Sequence, residues 1–193
     1  MKKVFVVSFI AVVAAVSSRG DIIPSFGGTS AGSGTNTVWN YTINIASDQQ
    51  VTAGDFFTIY DFGAFITGSS SQPANWTFSS SLLTTPPSGT NPPDNPTLAN
   101  LTWTYTGATA ISAGTILGNF SVTLATPQFQ QTPLTRAAFF AATATRADGQ
   151  DAGSKISNVG QIPVPVPVPE PTTLSLLALA AAGSALRAIR RRK

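Results

Sequence analysis

Short runs in which bulky apolar and small polar residues alternate constrain this chain more than any other feature. Trp39, Tyr41, Ile43 and Ile45 alternate with Asn40, Thr42 and Asn44, and Leu101, Trp103 and Tyr105 alternate with Thr102, Thr104 and Thr106. Successive side chains of a strand point to opposite faces, so each run predicts a strand with one buried and one wet face. Residues 55–62 are apolar on both faces and predict a central strand covered on both sides. Trp76 and Phe78 share one face of a short strand. Ile116, Phe120, Val122 and Leu124 alternate with Leu117, Asn119, Ser121 and Thr123, with Gly118 marking a bulge or close approach. Residues 137–145 and 156–162 read as two further strands joined through the turn at Asp148-Gly149. Residues 21–37, rich in Gly, Ser and Thr, read as a flexible or edge segment, and the five prolines within residues 79–99 predict a long surface loop. The expected fold is all-β, an antiparallel β-sandwich of Greek-key or jelly-roll type over residues 21–162, with an open barrel as the alternative.

The two ends of the chain have a different character. Residues 1–20 read as a secretory signal peptide: Lys2 and Lys3 precede an apolar stretch over residues 4–16, and Ala15-Val16-Ser17 offers small residues for cleavage. An uncleaved anchor is the alternative. Near the other end, proline and valine alternate over residues 163–169, followed by Glu170-Pro171. Such a sequence favours an extended polyproline rod, and residues 163–171 would hold a domain roughly 28 Å from the segment beyond Pro171. An uncharged apolar run over residues 174–186 comes next, then Arg187, Arg190, Arg191, Arg192 and Lys193. A helix from Thr172 to Arg187 would be about 24 Å long, short against a hydrocarbon core of about 30 Å but extended by a snorkelling arginine. The expected division is therefore a Pro-rich linker over 163–171 and a transmembrane helix with a basic tail over 172–193. The cations predict a cytoplasmic C-terminus and an exported body.

In this region the chain resembles the PEP-CTERM sorting signal of Gram-negative and related bacteria. Val168, Pro169, Glu170 and Pro171 correspond to the sorting motif, followed in order by an apolar helix and the basic stop of Arg187, Arg190, Arg191, Arg192 and Lys193, so that the signal covers 168–193. The resemblance implies that the chain is a substrate of exosortase, an integral-membrane processing enzyme. It further implies transient anchoring in the inner membrane facing the periplasm. Delivery to the cell surface or the extracellular polysaccharide matrix would come next, with a structural or adhesive role in biofilm.

Composition narrows the chemistry of the body. The formal net charge is +3, yet seven of the eleven cations lie in the two tails, which leaves about −4 for the remainder. That balance removes the electrostatic basis for nucleic-acid binding. The chain has no Cys and no His, and its one Glu is Glu170. Thiol nucleophiles, Ser-His triads and zinc sites have no residues to build them. Asp55 and Asp61 would bracket one strand about 20 Å apart, too far for paired carboxylate chemistry. Asp148 and Asp151 lack the spacing of a recognised calcium loop. No metal or cofactor is expected, and no enzymatic activity. Trp76, on a short strand among Ser, Asn and Pro, is the residue expected to present an exposed ring for stacking on a sugar. A secreted glycan-binding module is the alternative function.

Overall fold

The structure, a computed structural model, describes residues 22–112, 114–125 and 135–166. Its elements are all strands: β1 (Ile22–Ala31), β2 (Thr37–Ile45), β3 (Gln49–Gln50), β4 (Phe56–Ile59), β5 (Trp76–Ser81), β6 (Asn100–Tyr105), β7 (Ile116–Leu124), β8 (Thr135–Arg146) and β9 (Lys155–Pro165). They form two antiparallel sheets. The smaller has the order β1-β2-β7. In the larger, β4 lies between β6 and β8, with β5 outside β6 and β9 outside β8, while the short β3 pairs with the end of β8. The signal peptide and transmembrane helix expected at the two ends lie outside the described residues. Among the described residues no helix is long and apolar enough to cross a membrane.

The sheets face each other across an aromatic core, as the alternating runs predict. Trp39, Tyr41, Ile43 and Ile45 of β2 and Leu101 and Trp103 of β6 are all fully buried. Phe120 of β7 is one of the rings that join the layers. Its centroid lies 5.1 Å from Phe57, 5.0 Å from Trp76 and 6.0 Å from Trp103, each in edge-on geometry. Such pairs contribute about 0.5–1.5 kcal/mol each beyond area burial. The run at 55–62 is central, as expected, but its outer side is lined by Thr58, fully buried with its Oγ 2.8 Å from that of Thr102.

A bulge in β7 corrects one sequence assignment. The register with β2 passes from Tyr41↔Phe120 to Ile43↔Leu117, and Asn119 carries a φ of 67°. One extra residue reverses the parity of everything before it. Leu117, rather than Ile116, therefore packs against the core, and Ile116 is 71% exposed. The Gly/Ser/Thr-rich segment at the start of the body is an edge strand, β1, with its own register shift between Phe26 and Gly28.

The second correction concerns the proline segment. Pro163, Val164 and Pro165 are the last residues of β9, paired with Ala137, Arg136 and Thr135. They belong to the domain rather than to a projecting rod. Ile162 and Val164 are buried, whereas Gln161 and Pro163 are exposed. Prolines at alternate positions place every missing N–H on one side of the strand, which an edge strand tolerates. The Pro163 carbonyl accepts a hydrogen bond from Tyr41 Oη at 3.0 Å, across to the other sheet.

Gly160 is needed for a packing reason. A Cβ there would lie 2.6 Å from Cε1 of Phe140, its partner across the ladder. Gly160→Ala should therefore push the Phe140 ring off its site and cost about 1–2 kcal/mol, within the usual range for overpacking. Chemical denaturation would show this as a lower midpoint at unchanged slope, and an unchanged midpoint would mean the ring has room to move.

Candidate functional site

The one ion pair among the described residues joins Asp55 to Lys155. Asp55 precedes β4, and its carboxylate is fully buried. Oδ2 accepts from the Thr52 N–H at 2.7 Å and from Thr145 Oγ at 2.8 Å, and Oδ1 accepts from Lys155 Nζ at 2.6 Å. Lys155 also donates to Thr52 Oγ at 3.0 Å and Thr145 Oγ at 2.8 Å. Both carboxylate oxygens are thus engaged, as burial of a charge requires. The arrangement ties the 52–55 turn to the end of β8 and the start of β9. It offers one carboxylate and one half-exposed amine, with no second acid beside them. Asp61 lies at the other end of β4, where its Oδ1 accepts from the Asn95 N–H at 2.8 Å. The two aspartates are separate, as their spacing predicts, and Asp55 is a fastening of the fold rather than a turn cap alone. Sequence reasoning missed Lys155. The available signal was that it is the single lysine between Lys3 and Lys193.

Trp76 is not an exposed stacking platform. It is 5% exposed, and its ring packs 6.0 Å from Phe57 and 5.3 Å from Tyr105. Its polar sequence neighbours occupy the outer face of β5, while pairing with Tyr105 turns the indole inward. Trp39 and Trp103 are also buried, so all three tryptophans belong to the core.

Asp148 and Asp151, in the hairpin between β8 and β9, line a surface depression with Asp48 and Arg146. Arg146 places a cation among these carboxylates. Among the described residues no three metal-ligating side chains are grouped to share an ion.

The proline-rich loop is pinned by polar contacts over the end of β4. Asp94 accepts from Asn100 Nδ2 at 2.9 Å and from the Thr84 N–H at 3.0 Å. Burial, aided by the charge of Asp94, pushes the Tyr60 phenol up to about 12, and burial raises Tyr41 as well. In the unfolded chain a tyrosine ionises near 10. The folded state therefore holds its protons longer, so this contribution is complete below about pH 10 and is lost as pH rises through about 12. Thermal unfolding scans should show a melting temperature that declines from about pH 10 upward. Tyr60→Phe should flatten part of that decline, and an unaltered profile would remove Tyr60 as a cause.

The outer face of the larger sheet is a field of hydroxyls. Thr77, Ser79, Thr102, Thr104, the buried Thr143 and Ser157 lie on it in register, interrupted by Phe56, Phe139 and Val159 and ending at Lys155. Away from Lys155 it carries neutral donors and acceptors suited to polar, uncharged partners.

The expected sorting residues Val168, Pro169, Glu170 and Pro171 and the basic stop of Arg187, Arg190, Arg191, Arg192 and Lys193 lie outside the described residues. Comparison with known proteins bears on them directly. No curated protein matches the chain. A family model described as the PEP-CTERM protein-sorting motif matches residues 167–192, beginning two positions after β9 ends at Pro165. The match includes Val168 to Pro171 and the arginines of the basic stop, with Lys193 just beyond it. Such a signal implies export, membrane-anchored sorting and processing by exosortase. This chain is a protein that carries a PEP-CTERM sorting motif, joined directly to an all-β domain of two antiparallel sheets.

Proposed function

We propose that this protein is a non-catalytic exported component that exosortase processes and delivers to the cell surface or extracellular polysaccharide matrix, where its sandwich-like domain has a structural or adhesive role. The observation that carries this reading is the sorting motif at 167–192, set against a body without His, Cys or Glu. No side chain there is an obvious acid or base tuned to work near neutral pH. Adhesion to polysaccharide would use the hydroxyl face of the larger sheet rather than tryptophan stacking, because all three indoles are buried. The anchor faces the periplasm before processing, and residues 1–20 direct the export.

The test compares strains with and without exosortase. The protein should leave the membrane fraction only when the enzyme is present, and the released form should co-sediment with the strain's own exopolysaccharide. It should not hydrolyse polysaccharide, ester or peptide substrates. Release into the medium without matrix association would contradict the adhesive role. Hydrolysis lost in Asp55→Asn or Asp61→Asn would overturn the non-catalytic one.

A further inference from the structure

The chain leaves the domain towards its sorting motif from one particular end of the larger sheet. β5, β4 and β9 run in the same direction, because each is separated from the next by one antiparallel neighbour. The C-terminal ends of β5 and β9 therefore share that end. Immediately after β5 come Leu82 and Leu83, 55% and 64% exposed. They are the adjacent pair among the exposed large apolar side chains. Ile23 and Ile116, in contrast, are set apart on either side of Asn44. Two neighbouring leucines held in water at one end of a domain mark a surface for an apolar or amphipathic partner.

The length of chain outside the described domain limits what that partner can be. From Pro165, the last residue of β9, to Thr172, where the anchor is expected to begin, the backbone spans at most about 25 Å. The end of the sheet that carries the leucines is therefore the end tethered within about 25 Å of the membrane as long as the anchor is in place, with the leucines at the opposite edge from β9. Charge favours the same orientation. Asp48, Asp148 and Asp151, with Arg146 among them and the Asp55–Lys155 pair close by, give the opposite end a net negative charge that an anionic surface repels. At the leucine end, Asp61 and Asp94 are occupied by loop contacts, and Arg136 donates to the Asp61 carbonyl.

We propose that Leu82 and Leu83 dock this end of the domain on the bilayer surface while the protein awaits processing, presenting the motif to the membrane enzyme in a fixed orientation. The proposal rests on the reading of the tail as a membrane anchor. The test uses the full-length chain, purified from a host without exosortase and reconstituted in phosphatidylethanolamine–phosphatidylglycerol vesicles. Because the chain has no cysteine, one can be introduced alone at Ser81, beside both leucines, or at Asp148 in the far hairpin, and labelled with a polarity-sensitive fluorophore. Nitroxide lipids should quench the Ser81→Cys label at least several-fold more than the Asp148→Cys label, and the substitutions Leu82→Ser and Leu83→Ser together should abolish the difference. Flotation of the protein with vesicles reports the anchor separately. Flotation with equal quenching at both labels would overturn the docking alone, and failure to float would remove the anchor and the docking with it.

Discussion

Trp103→Ala should cost about 3–5 kcal/mol, the usual loss for truncating a buried tryptophan. In a domain of this size that lowers the melting temperature by about 10 °C or more. Trp103 is fully buried, stacked on Phe57 at 5.1 Å and 18°, with Phe78 at 5.2 Å. The alanine would leave a cavity in the middle of the larger sheet, against the Phe120 ring that links it to the smaller one. Trp103→Phe should cost much less. It keeps a ring in the stack and removes an indole N–H that has no partner among the described residues. Thr77→Ala, on the exposed face, should stay within about 0.5 kcal/mol. A melting temperature unchanged in Trp103→Ala would mean that the aromatic core is misassigned.

Lys155→Met should be the most damaging single change at a charged position. It leaves Oδ1 of the buried Asp55 carboxylate without its donor, while Oδ2 keeps the Thr52 N–H and the hydroxyls of Thr52 and Thr145. Breaking a fully buried pair costs about 3–5 kcal/mol. Lys155 is 48% exposed, so water can partly replace it, and about 2–3 kcal/mol is expected. The combination Lys155→Met with Asp55→Ala should recover part of that loss, since the stranded charge is gone. A double mutant that is simply the sum of both losses would show that the two side chains do not act as a pair.

The legible part of the fold was the part governed by local parity. On β2 and β6 each residue's face follows from its neighbour, and the buried apolar set is the predicted one, with Asn100 buried besides. Parity failed where the backbone changed step. Gly118 marks the bulge, yet the consequence, Leu117 in and Ile116 out, depends on which residues of β2 lie opposite. Trp76 was misread because flanking polarity along the chain does not reveal that its strand pairs with β6. The alternating prolines suited a rod and an edge strand equally well, and pairing with β8 decided between them for Pro163 to Pro165. The Asp55–Lys155 fastening joins residues one hundred positions apart, beyond any local pattern. The sorting motif needed no folded context, because its parts are contiguous in the chain.

That motif is where the account is tested most directly. The measurement is the intact mass of the protein recovered outside the membrane from a strain with exosortase, for the native chain and for Glu170→Ala. The native protein should be found free of the membrane and lacking the cluster from Arg187 to Lys193. Glu170→Ala should remain in the membrane fraction at full length. Release of Glu170→Ala in the same shortened form and amount as the native protein would contradict the assignment, and the tail would then be an anchor without a sorting function.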